Sequence, residues 1–155
     1  MASNKFRWHL RIFVEDDANR QIVNGFLESF FQRNIPRCIR VLQSSRGWDS
    51  TLKAAKQDCA EGGSCRRVLA VIDFDGDANR IRTATVKGQA NFYVVGCREE
   101  PEKLRQLLQR PGHFSTLGNS LAREYCDNNT SLWPHIVNKK ALDSLMQDAK
   151  DQHIC

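Results

Sequence analysis

The chain has 155 residues, 41% hydrophobic and 26% charged, with a formal charge of +5 from 23 basic and 18 acidic side chains. That length fits one domain with a single sizeable core, and no apolar stretch reaches the roughly 20 residues of a membrane span. No apolar segment follows Met1–Lys5 as a signal peptide would require, so a cytoplasmic protein is expected, and the basic balance permits a polyanionic partner without requiring one.

Residues 6–14 form the first predicted strand, whose apolar tail runs into Glu15-Asp16-Asp17. Asp16 or Asp17 is placed to cap a helix in which Ile22, Val23, Phe26, Leu27, Phe30 and Phe31 recur with helical spacing, closed by Pro36. Residues 38–42 are a short β-branched strand. A polar turn over residues 44–50 leads to a helix carrying Leu52, Ala55 and Cys59, and residues 61–64 form a loop.

The run from Arg67 to Asp73 is near-continuously apolar, which predicts a strand covered on both faces at the centre of a parallel sheet. It breaks into Asp73-Phe74-Asp75-Gly76-Asp77. In extended chain Asp73 and Asp75 share a face. Two such carboxylates repel unless a proton, a base or a cation separates them, and Mg²⁺ takes hard oxygen ligands of this kind. The alternative is that one aspartate caps a following helix while its neighbours are solvated turn residues.

Ile81, Ala84 and Thr85 suit a short helix ended by Gly88, and residues 90–96 a fourth strand. Glu99-Glu100-Pro101-Glu102 resembles a helix entrance, with Leu104, Leu107 and Leu108 as its stripe and Pro111-Gly112 as its stop. Leu117, Leu121, Ala122 and Tyr125 mark another helix, and Leu142, Leu145 and Met146 one over residues 139–149. The six cysteines show no C-x-x-C spacing and read as reduced and structural.

The alternation predicts a single α/β domain over residues 1–155, with a parallel sheet of about four strands and residues 115–155 as a helical extension. In a parallel sheet all carboxyl ends point one way, so Glu15, Asp73 and Asp75 converge at one edge, with Asp77 as a helper. Metal held there would bind phosphate oxygen while Glu15 completes the site or handles a proton.

This arrangement resembles the TOPRIM domain of topoisomerases, bacterial primases and OLD-type nucleases, in which a glutamate follows the first strand and an Asp-x-Asp pair the third. The matching residues are Glu15 in Ile12-Phe13-Val14-Glu15-Asp16, and Asp73-Phe74-Asp75. The likeness covers roughly residues 8–100; the glycine that often follows the family glutamate is Asp16 here, which adds a negative charge. It implies a TOPRIM-like Rossmannoid fold and a Mg²⁺- or Mn²⁺-dependent nuclease or related phosphoryl-transfer domain acting on DNA or RNA. Arg46, Arg80 and Arg82 are candidates for phosphate contact, Trp133 for base stacking and His135 for an imidazole near the site, as against solvated arginines and a packing tryptophan. The tail is a candidate interface for a homodimer or a larger protein complex. A noncatalytic α/β binding or protein-interaction module is one alternative. A receiver-like phosphoacceptor is another, suggested by Phe13-Val14-Glu15-Asp16-Asp17 and opposed by the Asp-Phe-Asp spacing.

Overall fold

The structure, a computed structural model, describes residues 7–42, 46–85, 89–108, 112–128 and 131–152. The expected stops at Gly88 and Pro111, part of the polar turn and Cys155 lie outside them. Arg66–Val71 (β3) is the strand on which the sheet is built. Val68, Leu69, Ala70 and Val71 are all buried, which is why the run lacks alternation. β3 pairs in parallel with His9–Val14 (β1), in a register running from His9↔Arg66 to Val14↔Val71, and on its other side with Phe92–Cys97 (β4). Ile39–Val41 (β2) adds parallel to the outside of β1.

The four-strand parallel core is as expected, but the tail is not wholly helical. Ile136–Val137 (β5) closes the far edge antiparallel to β4, giving the order β2-β1-β3-β4-β5 and a mixed, mostly parallel sheet. Two bonds from β4 and its exit hold this segment. The Arg98 N–H donates to the His135 carbonyl at 2.8 Å, and the Asn138 side-chain amide donates to the Val94 carbonyl at 2.8 Å.

Helices flank both faces. Asp17–Phe30 (α1), Phe114–Asp127 (α5) and Lys139–Asp151 (α6) share one hydrophobic core with the sheet, to which they contribute Ile22, Leu117 and Leu145. Trp48–Glu61 (α2) and Ala78–Thr85 (α3) join the other, through Leu52, Ala55 and Ala84. The apolar stripes of the tail, expected as an interface, therefore cover the sheet. Pro101–Arg105 (α4) buries Leu104 as expected. Leu107 is 53% exposed, because α4 stops at Arg105 and helical spacing no longer carries Leu107 to the same side. Cys59, Cys65, Cys97 and Cys126 are free, whereas Cys38 is disulfide-bonded, so the expectation of reduced thiols fails at that position. Among the described residues no helix is long and apolar enough to cross a membrane.

The α1–α5 contact depends on two glycines. A Cβ on Gly25 would run into the Ser115 carbonyl, and one on Gly118 into the Ile22 carbonyl, so each helix lets the other's backbone approach. Overpacking of this kind typically costs about 1–3 kcal/mol. Gly25→Ala is expected to lower stability by about that amount in urea denaturation, whereas Asn24→Ala, at an exposed position of the same helix, should stay within about 0.5 kcal/mol of the native protein.

Candidate functional site

Strand order reverses between β1 and β3, since β2 lies to one side of β1 while β3 and β4 extend on the other. Open α/β sheets bind ligands beyond the carboxyl ends of strands at such a reversal. Glu15 follows β1 there, and Asp73 stands two residues beyond β3. β1 stops because the chain turns into α1, whose N-cap Asp16 accepts the Asn19 N–H at 2.9 Å.

The Glu15 N–H makes the last backbone bond from β1 to β3, to the Val71 carbonyl at 3.0 Å. The chain after Val71 runs on beside β4, with the N–H groups of Ile72 and Phe74 donating to the carbonyls of Val95 and Cys97. Residues alternate in direction along such a ladder, so the Asp73 N–H points back toward the β1 side. The Glu15 carboxylate meets it there, accepting through Oε2 at 2.6 Å.

Asn19 completes the junction. Only 1% exposed, it donates from Nδ2 to Asp73 Oδ1 at 3.0 Å and to Asp16 Oδ1 at 3.1 Å. The sequence reading missed it, although a signal was present: Asn19 occupies the turn of α1 immediately before Ile22 and Val23, where the apolar stripe predicts a buried side chain.

Asp75 departs from the expected geometry. Its φ of +48° and that of Gly76 at +68° end the extended chain, so the two-residue spacing does not carry Asp75 to the face of Asp73. Asp75 instead accepts from Arg80 Nη1 at 3.0 Å, and the same nitrogen donates to the Asp73 carbonyl at 2.8 Å. The Arg80 guanidinium lies 4.8 Å from the Trp48 ring centroid, and its Nε is buried without a hydrogen-bond partner. Asp77 caps α3, its carboxylate accepting the N–H groups of Asn79 at 2.9 Å and Arg80 at 3.2 Å.

The structure thus brings together Glu15, Asp73, Asp75 and Arg80, with Asp77 at the entrance to α3. Arg46 and Arg82 are exposed, on the turn before α2 and on α3. His135 is exposed in the turn before β5. Trp133 is 7% exposed, packs against the Phe26 and Tyr125 rings and donates its indole N–H to the Leu121 carbonyl at 3.0 Å. That placement is a packing anchor.

Burial pushes the Asp73 carboxyl up to about 7; the Asn19 bond opposes the shift, and repulsion from Asp16, Glu15 and Asp75 adds to it. Glu15 is also raised, chiefly by burial, against the Asp73 N–H and with the charge of Asp16. A proton or a cation relieves such a cluster. The donor chemistry fits Mg²⁺ or Mn²⁺, since the ligands are hard oxygens. Among the described residues, Glu15 accepts through Oε2, Asp73 through Oδ1 and Asp75 through Oδ2, which leaves the second oxygen of each carboxylate outside these bonds. As placed, no group of three or more His, Cys, Asp or Glu among the described residues is arranged to hold a metal. Mg²⁺ commonly uses one or two carboxylates with water and substrate phosphate, a demand that Asp73 and Glu15 can meet.

Folded, Asp73 keeps its proton to about pH 7; unfolded, it releases it near the ordinary value of about 3.9. Between these values the native state binds the extra proton, so this group lowers stability as pH rises through the window. Asp73→Asn retains an acceptor for Asn19 without the charge. It is expected to raise stability at pH 8 by on the order of 2 kcal/mol in urea titrations, with the gain disappearing below about pH 4.

Comparisons with protein-family models, with curated proteins and with solved structures each find no match, which leaves this carboxylate junction as the basis for a functional reading.

Proposed function

We propose that this chain is a TOPRIM-like, divalent-metal-dependent nuclease or related phosphoryl-transfer domain acting on DNA or RNA. The observation that carries the reading is the Glu15–Asp73 junction: two acids 58 positions apart meet at the strand-order reversal, both biased toward protonation. Mg²⁺ or Mn²⁺ held by Asp73 and Glu15, with Asp75 beside them, would supply a Lewis acid for a phosphodiester oxygen.

The chain's own groups fit the remaining tasks. A carboxylate with a raised pKa is suited to accept a proton from water near neutral pH, which is the role of Glu15 where it does not serve as a metal ligand. Arg80, paired with Asp75 at the same edge, supplies the positive charge suited to a phosphate oxygen. The surplus of basic residues favours the approach of a polyanion. Asp16, which stands where the TOPRIM pattern often has glycine, is engaged by two Asn19 donors, so its charge is partly offset.

Tyrosine chemistry is less well supported. The Tyr125 hydroxyl donates to Asp143 at 2.8 Å, and burial and that bond both raise its pKa. Tyr93 is raised chiefly by burial. Hydrolysis is accordingly the reaction assigned. Assembly into a homodimer or a larger complex would use surfaces other than the apolar stripes of α5 and α6.

A second reading, a noncatalytic nucleic-acid-binding or protein-interaction module, is favoured by the structural use of the acids: Glu15 completes the strand ladder, Asp16 caps α1 and Asp77 caps α3. The receiver-like reading gains no support from β5, which is antiparallel and two residues long.

A cleavage panel of single- and double-stranded DNA and RNA with Mg²⁺ or Mn²⁺ separates these readings. The native protein is expected to cut at least one substrate, and Glu15→Gln and Asp73→Asn each to lose about 100-fold or more while remaining folded. A native protein inactive on all four substrates, or variants as active as the native chain, would overturn the assignment. Nucleic-acid binding that survives chelation without turnover would favour the binding module.

A further inference from the structure

On the α2 face of the sheet, arginines from three strands crowd around one carboxylate. Leu10 and Ile12 of β1 and Ile39 and Val41 of β2 turn toward the α1 core, so Arg11 and Arg40, opposite each other in register, both point to the α2 side. Arg66, at the start of β3, reaches the same face, where its Nε donates to His9 Nε2 at 3.1 Å. Asp58 of α2 accepts from Arg11 Nε at 2.7 Å through one oxygen and from Arg66 Nη1 at 3.1 Å through the other. Arg40 is exposed and has no acidic partner among the described residues. Like charges directly opposite on neighbouring strands are destabilising, and Asp58 is already divided between two guanidiniums.

The remaining donors are open to solvent. Arg11 commits only Nε, its side chain is 22% exposed, and neither Nη1 nor Nη2 is buried without a partner. The sequence around β2 extends the charge: from Ser29 to Trp48 it holds Arg33, Arg37, Arg40 and Arg46 and no Asp or Glu. Arg46 stands at the turn into α2, two positions before the Trp48 ring that stacks on Arg80. Arg11 precedes Glu15 on the β1 segment by about 13 Å of strand rise, and phosphates recur about every 3.4 Å along each strand of a duplex. About four nucleotides therefore reach from this face to the acid junction.

We propose that the Arg11–Arg40 face binds the phosphate backbone of a nucleic acid, with Arg40 and the outer nitrogens of Arg11 donating to phosphate oxygens. Planar guanidinium forks match phosphate geometry, and neighbouring strands about 4.8 Å apart set two of them side by side. A chain of phosphates, unlike a single small anion, can also follow the arginine-bearing segment toward Arg37 and Arg46. The choice of nucleic acid as the polyanion rests on the nuclease reading; the surface and its charge need neither metal nor cleavage.

The test is fluorescence anisotropy on the full chain in EDTA, with fluorescein-labelled single- and double-stranded DNA and RNA oligonucleotides titrated over a range of salt concentrations. Chelation stops metal-dependent turnover, so binding at this face is read apart from the chemistry at Glu15 and Asp73. The native protein is expected to bind at least one of these probes with an affinity that falls as salt rises. Arg40→Gln should weaken binding about fivefold or more at about 0.1 M salt and reduce the slope of log K against log salt by about 1, as loss of one phosphate contact does. Arg11→Gln, on the adjoining strand, should weaken it as well. Arg123→Gln removes the same charge from an exposed position on α5 and should stay within about twofold of the native protein. The proposal is overturned if the native protein binds none of the probes, if Arg40→Gln keeps the native affinity and slope, if Arg123→Gln weakens binding as much as Arg40→Gln, or if poly-L-glutamate displaces the oligonucleotide at equal charge concentration. A native protein that binds through Arg40 yet cuts no substrate upholds this surface and removes the nuclease reading alone.

Discussion

The hydrogen bond from the Asp73 N–H to the Glu15 carboxylate sits where the two central strands part company, and most of the site depends on it. β1 must leave the sheet to begin α1, while the chain after β3 continues beside β4. Asp73 is only 8% exposed, and a buried N–H left without an acceptor is costly. Glu15 resolves this with a charge-assisted bond at 2.6 Å, and in doing so directs its carboxylate toward Asp73. One bond thus closes the ladder and assembles the acid pair.

The assembled pair is electrostatically expensive. Two unit charges about 4 Å apart repel by on the order of 4 kcal/mol at an effective dielectric of about 20, and Glu15 and Asp73 have Asp16 and Asp75 as further negative neighbours. The fold offsets this with Asn19, which joins Asp16 to Asp73, and with Arg80, which joins Asp75 to the Asp73 backbone. Both acids nonetheless stay shifted upward, chiefly because burial disfavours their charged forms, with the negative neighbours adding to it. Asp73, raised to about 7, is the member of the pair that exchanges its proton near neutrality.

The opposite end of the sheet is held differently. Asp148 on α6 accepts from the Trp8 indole at 2.6 Å and from Arg67 Nε at 2.6 Å, fastening the last helix to the starts of β1 and β3. Burial opposes the charge on Asp148, yet the Arg67 and Trp8 bonds outweigh it and lower its pKa. At the carboxyl ends the strands part around partly unpaired acids; at the amino ends the carboxylate is matched to an arginine. The two ends of the sheet therefore differ in how their buried acids are compensated, by an arginine and an indole at one and by Asn19 and Arg80 at the other.

The sequence by itself determined the elements whose signal is local. β3 was legible as a continuous apolar run because both its faces are covered, α1 as a helical stripe, and Asp16 as one of two possible caps. The meeting of Glu15 with Asp73 was legible as well, because parallel strands place their carboxyl ends on one edge. Tertiary structure decided the rest. The left-handed turn at Asp75 redirected a carboxylate that extended spacing would have sent beside Asp73, and Asp77 became a cap. β5 is held by the Asn138 amide donating to Val94 of β4 and by the Arg98 N–H at the exit of β4 donating to His135, partners far apart in sequence that no local period encodes. Asn19 looked like one polar residue on a helix; its two side-chain partners, Asp16 and Asp73, come together only once α1 lies against the sheet. Periodicity specifies which face of an element is buried, whereas backbone turns and distant partners decide what that face touches.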